Sequence, residues 1–528
     1  MNRKLESTTS EMSAPFLTGG ARPEHGAARE APLRMSAEEF RRAGHELVDA
    51  IAAFLPSVME GRRPVTTGEA PDVVQALVGA GATLPEQGTS ADELLREAST
   101  LLFDHSLLNG HPRFFGYITS SPAPIGMLGD MLAAAVNANV GSWRLGPVAT
   151  EIEAQTVRWI AELLGYPTTC GGLLVSGGNM ANFVGLLAAR RAAGADWDVR
   201  KTGLRDPAAR ALRVYASAET HTWIQKACDL AGLGTDSIRW IATDNELRMS
   251  VPALREAIER DVKAGDRPAI VVGTSGSVST GAVDPLREIA EVCRELGVWF
   301  HVDGAYGAFA AAVAQPASDL AALALADSVA VDPHKWLYAP LEAGCILVRD
   351  PTMLREAFEY HPPYYHFGQE VTNYVEYGPQ NSRGFRALKV WLALRQVGRS
   401  GYVQMIGDDI RLSERMAQLC AAHPEIELVT QALSITTFRY VPPDLRAHTG
   451  EPDAEEYLNR LNEAVLERVQ NGGEAFVSNA VIRGKYVLRA CIVNINTTEA
   501  DVEVVPGIVV RVGRAEDREL RAQAPRPS

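Results

Sequence analysis

Apolar positions follow two different rhythms along the chain. From about residue 170 to 335 they form short continuous runs: Gly-Leu-Leu-Val at 172–175, Leu-Arg-Val-Tyr at 212–215, Ser-Ile-Arg-Trp-Ile at 237–241, Ala-Ile-Val-Val at 269–272, Val-Trp-Phe-His-Val at 298–302 and Ser-Val-Ala-Val at 328–331. Helix-length stretches separate most of them, for example 180–191 and 286–296. Strands that are apolar throughout and alternate with helices predict an α/β domain, with a mostly parallel sheet covered on both faces. Such a sheet binds ligands beyond the carboxyl ends of its strands, so chemistry is expected in the residues that follow each run.

The flanks have helical spacing. Ser36-Ala37-Glu38-Glu39 resembles a capping box, and Phe40, Leu47, Ile51 and Leu55 form an apolar stripe that is expected to stop at Pro56. More short helices follow to about Leu108. After Phe385, a helix over 388–397 leads into helices near 402–422 and 453–471 and strands near 434–440 and 486–491, a smaller α+β domain. The expected organisation is a disordered leader at 1–34, a helical segment at 35–118, a large domain at 119–387, a small domain at 388–513 and a charged, flexible tail at 514–528.

Length and composition narrow the classes. At about 150 residues per domain the 528 residues allow two to four domains, enough for a full core without staples. With 46% hydrophobic and 22% charged residues, the chain reads as an ordinary soluble protein. Its 51 basic against 65 acidic residues give a net charge of −14, which argues against nucleic acid or anionic lipid as a partner. No apolar run approaches the ~18 residues of a membrane span, and the leader has no apolar core of a secretory signal. The six cysteines contain no C-x-x-C pair, so neither a metal site nor a disulfide framework is indicated, and a reducing, cytoplasmic setting is expected.

Three strand ends carry reactive groups. Asp332-Pro333-His334-Lys335-Trp336 follows the run at 328–331, and Asp303 ends the run at 298–302 within His301-Val302-Asp303-Gly304-Ala305-Tyr306. Ser176-Gly177-Gly178-Asn179 joins the run at 172–175 to a helix. Each alone has an ordinary structural explanation: a surface lysine, a helix cap, a tight turn. Together they meet the needs of one cofactor. A lysine amine forms a Schiff base with an aldehyde. A glycine turn at a helix N-terminus cradles phosphate. A carboxylate keeps a pyridine nitrogen protonated. At ~4 Å and an effective dielectric of 20 that pairing gains about 4 kcal/mol, or roughly 3 pKa units before desolvation. This is the protein-side requirement for pyridoxal phosphate. His221, after the run at 212–215, could stack on the ring.

Phe-His-Val-Asp-Gly-Ala-Tyr at 300–306 and Asp-Pro-His-Lys-Trp-Leu at 332–337 resemble the signature of the group II, fold type I pyridoxal-phosphate decarboxylases, the aromatic-L-amino-acid decarboxylase family. Similar likeness is seen in His-Pro-Arg-Phe-Phe-Gly-Tyr at 111–117, Glu151-Ile152-Glu153, Ser-Arg-Gly-Phe-Arg-Ala-Leu-Lys at 382–389 and Leu-Arg-Ala-Cys-Ile-Val-Asn at 488–494, so that it covers roughly 35–513. The resemblance implies a mostly parallel seven-stranded sheet with the flanking segments above. It implies Lys335 as the Schiff-base lysine, Asp303 at the pyridine nitrogen and His221 on the ring. Gly178 and Asn179 would hold phosphate with Asp332 near it, and His334 would lie near cofactor and substrate. It further implies an obligate homodimer with sites at the subunit interface, to which the segment 35–118 contributes. Tyr364, with Tyr365 as the alternative, would return a proton to the α-carbon from a loop that closes over the site.

The implied reaction converts an L-amino acid, aromatic by resemblance, to its amine and carbon dioxide. An oxidative aldehyde synthase and a decarboxylase of a non-aromatic amino acid such as glutamate are the alternatives. Relatives that make aldehydes usually lack the loop tyrosine. Some positions depart from the pattern: Asn179 stands for a common serine, Val278 for a hydroxyl residue, Ile118-Thr119-Ser120 for Phe-Pro-Thr, Asn109 for tryptophan and Gly141 for phenylalanine.

Overall fold

The computed structural model describes residues 31–314, 318–360 and 371–523. Twelve strands are found among them: β1 Phe114–Phe115, β2 Gly171–Val175, β3 Leu212–Ser217, β4 Ile238–Ile241, β5 Arg267–Thr274, β6 Trp299–Asp303, β7 Ser328–Val331, β8 Gly344–Val348, β9 Ile426–Ala432, β10 Ile435–Tyr440, β11 Phe476–Ile482 and β12 Lys485–Cys491. Seven make the large sheet, in the order β2-β8-β7-β6-β5-β3-β4. The pairs β7–β6, β6–β5, β5–β3 and β3–β4 are parallel, and β8 runs antiparallel to both of its neighbours.

The apolar runs become strands because both faces of the sheet are covered. Along β7, Val329 and Val331 face helices Pro147–Leu164 and Leu286–Leu296, while Ala330 packs with Ala181 and Val184 of helix Gly178–Ala193. Six of the seven strands are visible as runs. The seventh, β8, is reached from β7 through residues 332–343, which hold only the one-turn helix Pro333–Trp336, so the strand–helix rhythm does not announce it.

The second sheet, β1-β11-β12-β10-β9, belongs to the small domain. β1 pairs in parallel with β11, Arg113 Nε lies 3.1 Å from Asp501 Oδ1, and Asn494 Nδ2 donates to His111 O at 2.8 Å. Residues 111–117 are therefore tied to the C-terminal domain, although the pattern groups them with the N-terminal helices. Two further boundaries are corrected. The first helix, Ala37–Met59, has the expected Ser36–Glu39 capping box but runs one turn past Pro56. Near a helix end the missing N–H of proline removes a single bond and the following turn survives. The last helix, Val505–Gln523, extends ten residues into the expected tail. Its charged residues are paired: Arg514 with Glu425, and Arg521 with Asp444 and Asp517. The leader up to residue 30 and residues 524–528 lie outside the described residues. No helix among the described residues is long and apolar enough to cross a membrane.

The edge strand β2 is held by a buried ion pair. Glu153 Oε1 accepts from Leu174 N at 2.8 Å, and Arg383 Nη2 donates to Leu174 O at 2.6 Å. The two side chains also meet each other, both essentially without solvent contact. Arg383 Nη1 donates to Val140 O at 3.0 Å and its guanidinium lies 4.6 Å from the Tyr374 ring centre. An edge strand leaves backbone groups without strand partners. Here one carboxylate and one guanidinium satisfy both groups of Leu174, one residue short of the strand's carboxyl end. Removing one member of a buried pair strands the other charge, so Glu153→Ala is expected to destabilise by about 3–5 kcal/mol. A double substitution to Leu and Met at 153 and 383 should lose less. Denaturant midpoints of the two variants against wild type measure both effects.

Candidate active site

The carboxyl ends of β2, β5, β6 and β7 and the turn after β3 open into one cavity of about 720 Å³. Gly178, Asn179, His221, Asp303, Asp332, His334 and Lys335 all line it. These seven residues span more than 150 positions of sequence and are gathered by the topology alone. Tyr364 and Tyr365 lie outside the described residues.

Lys335 sits on the single-turn helix Pro333–Trp336, capped by Asp332 at the end of β7. Its Nζ lies 2.9 Å from Asp332 Oδ2, which fixes the amine at the cavity wall. The other oxygen, Asp332 Oδ1, is buried with no hydrogen-bond partner. His334 is oriented by its Nδ1, which lies 2.7 Å from Ala343 O, and its Nε2 stands 3.7 Å from Asp332 Oδ2. Burial lowers the His334 pKa, with Asp332 opposing.

Asp303 ends β6 beside β7, in register with Ala330. Its Oδ2 accepts from Trp223 Nε1 at 2.7 Å, and its Oδ1 accepts from Ala305 N at 3.2 Å. Two donors hold the carboxylate in one orientation and leave acceptor capacity for a third. One layer deeper on the same face, His301 is bound by Asn182 and Ser328 through both ring nitrogens, at 2.7 Å each. Burial pushes its pKa down to about 4, so it serves as a neutral spacer under the site. The His221 ring accepts from Trp223 N at 3.2 Å, and desolvation lowers its pKa, opposed by Asp303.

The β2 turn is shaped to admit a ligand. Gly177 has φ 136°, a value that favours glycine, and caps helix Gly178–Ala193. A Cβ on Gly178 would stand 2.7 Å from Asp332 Oδ2 and 2.9 Å from Ala305 Cβ. The first N–H groups of this 16-residue helix lack partners within the helix, and its first residues line the cavity, a cradle for an anion. At the end of β5, the hydroxyls of Thr274 and Ser275 are buried without partners, and Thr274 lines the cavity. An anion cradle, an amine, an oriented carboxylate and orphaned hydroxyls fit the phosphate, aldehyde and ring nitrogen of pyridoxal phosphate. Among the described residues no three His, Cys, Asp or Glu side chains gather to hold a metal ion.

Reading the sequence missed Trp223 and Thr274. Thr274 ends β5, so the strand-end rule alone could have found it. Trp223 lies beyond a turn, and nothing local reports its bond to Asp303. Among the departures, Gly141 has a structural reason: a Cβ there would stand 2.1 Å from Asn381 O. Asn109, Thr119 and Ser120 line a second, mostly apolar cavity of about 470 Å³, which shares His334 and Leu341 with the first.

Comparison with known proteins agrees with this geometry. The pyridoxal-dependent decarboxylase conserved domain matches residues 75–441. The chain is 33% identical over 475 residues to the aromatic-L-amino-acid decarboxylase of Bacillus atrophaeus, covering 89% of this chain and 94% of that one. It is 30% identical over 471 residues to phenylacetaldehyde synthase of Arabidopsis thaliana, covering 87% and 92%. The crystal structure of Oryza sativa TDC with PLP and tryptamine superposes with a TM-score of 0.83 at 29% identity, covering 92% of this chain and 99% of that one. The chain belongs to the pyridoxal-dependent decarboxylases, lyases whose cofactor is pyridoxal phosphate.

Proposed function

We propose that the protein removes the α-carboxyl group of an aromatic L-amino acid, giving the amine and carbon dioxide. The observation that carries this reading is the convergence of Lys335, Asp303, His221 and the Gly177–Gly178 turn on one cavity. When bound, pyridoxal phosphate supplies an aldehyde for amine exchange and a cationic ring that accepts the electron pair left as carbon dioxide departs. The chain supplies the rest. Lys335 carries the cofactor through its amine and releases it to the substrate amine. Asp303, aimed by Trp223 and Ala305, holds the proton on the pyridine nitrogen. His221 covers the ring. Gly178 and Asn179 hold the phosphate at the helix N-terminus, with Asp332 beside the lysine. His334, neutral and fixed through Ala343, faces the substrate. Tyr364, or else Tyr365, returns the proton to the α-carbon.

An aromatic substrate is supported by the relatives' own activities and by the apolar second cavity reached past His334 and Leu341. A homodimer is supported by helix Pro124–Val136, which exposes Leu128, Met131, Leu132 and Val136 along one side. A cytoplasmic setting is supported by six free cysteines, five of them buried. A second reading, oxidative conversion to an aldehyde, is favoured by the likeness to a phenylacetaldehyde synthase.

Lys335→Ala is expected to abolish both turnover and the visible absorbance of lysine-bound cofactor. A purified variant with wild-type absorbance would refute the assignment. Asp303→Ala should lose on the order of 1000-fold in kcat, since about 4 kcal/mol of ion pairing is removed at tenfold per ~1.4 kcal/mol. With phenylalanine, tyrosine and tryptophan supplied in turn, amine and carbon dioxide should form in equal amounts without hydrogen peroxide. Peroxide in step with carbon dioxide would favour the aldehyde synthase.

A further inference from the structure

The turn that carries Lys335 is too short to hold itself in place. Helix Pro333–Trp336 is one turn long, below the length at which a helix is stable alone. Beyond it, Tyr338 has φ 54°, a left-handed conformation that bulky residues rarely adopt. The reach and direction of the lysine amine therefore depend on what surrounding elements impose.

The strongest restraint comes from one carboxylate on a distant helix. Asp409 lies on helix Ala387–Ala422, past the break at Gly398. Its Oδ2 accepts from Trp336 Nε1 at 2.8 Å and from Tyr338 OH at 2.7 Å. These donors stand one and three residues after Lys335, so a single oxygen ties down the chain on the carboxyl side of the lysine. All three side chains are buried, and Asp409 has no ion-pair partner among the described residues. A buried carboxylate without a cation is costly, and an apolar residue of similar size would serve packing better. What the carboxylate adds is a shared acceptor for two donors.

Neighbouring contacts extend this clamp. Tyr402, on the same helix, donates to Leu337 O at 3.2 Å. The Tyr306 ring, which lines the cavity, stacks on the Trp336 ring with centres 5.0 Å apart and planes 17° from parallel. On the amino side, Ser120 Oγ donates to His334 O at 2.7 Å.

We infer that Asp409 is a positioning residue for the reaction: through Trp336 and Tyr338 it sets the place of the Lys335 amine relative to the cofactor. This rests on the reading that Lys335 carries the cofactor. It assigns a role in chemistry to a residue that touches neither substrate nor cofactor.

The test uses full-length, cofactor-loaded enzyme and three readouts: kcat and KM, the midpoint of the pH titration of the bound cofactor's absorbance, and the rate of cofactor release. Asp409→Ala should lower kcat by about 100-fold, the scale of an ångström misplacement of a reacting group, with KM little changed. The absorbance midpoint should move by about one pH unit and cofactor should leave faster. Asp409→Asn keeps an oxygen acceptor and should recover most of the rate and the original midpoint. A role in stability alone predicts a lower melting temperature for Asp409→Ala, with kcat and midpoint per folded molecule as in wild type. That result would overturn the inference. Should Asp409→Ala fail to fold, Tyr338→Phe removes one donor and keeps the ring. It should shift the midpoint and kcat in the same direction, and wild-type values for both would equally overturn the inference. Lys335→Ala run alongside separates the two claims: retained cofactor absorbance there refutes the lysine assignment itself, whatever Asp409 does.

Discussion

The site depends on parallel pairing between β6 and β7. Two adjacent strands running the same way end at the same edge, so the carboxylate after Val302 and the lysine turn after Val331 must open on one space. β2 enters from the far side of the antiparallel β8 and delivers the glycine turn to the same edge. A Cβ on Gly178 would collide with Asp332 and Ala305, which shows how closely the three strand ends approach. The chemistry of the cavity is a consequence of this convergence. No single motif contains it.

Converging strand ends serve chemistry only if each is fixed. Each is secured by a different buried polar device. At β2, Glu153 and Arg383 satisfy the edge backbone at Leu174. At β6, the indole of Trp223 aims Asp303. At β7, Asp409 gathers the donors on either ring beyond Lys335. In all three, groups from distant segments meet a strand end, and the reactive residue itself is left with capacity for a ligand. Asp409 also links the cavity to the small domain, because its helix packs on the β9–β10 hairpin through Ser413, whose hydroxyl bonds Thr436. Burial pushes the Asp409 pKa up to about 7, a sign of how little solvent reaches this joint.

Much of this was legible in the residues. The large sheet follows from its apolar runs, and Gly178, Asn179, Asp303, Asp332, His334 and Lys335 sit just past such runs. β8 was hidden because no long helix precedes it. β1 was hidden because two residues carry no period, and only pairing with β11 makes them a strand. The end of the last helix resembles a tail in sequence because its charges look solvated until Arg514 and Arg521 are set against Glu425 and Asp444. Trp223 and Asp409 act through bonds that span 80 and 73 positions, which no local pattern can report. Residue types and strand ends locate the chemistry, while the supports that aim it appear only in three dimensions.

The central claim is that the amine at Lys335 is the one bonded to the cofactor. Borohydride reduction of the holoenzyme makes that bond permanent, and peptide mapping by mass spectrometry then locates it. The account predicts one pyridoxyl-modified peptide, carrying Asp332-Pro333-His334-Lys335 with the mass increment on the lysine. An increment on any other lysine, or a protein that stays unmodified while fully active, would contradict it.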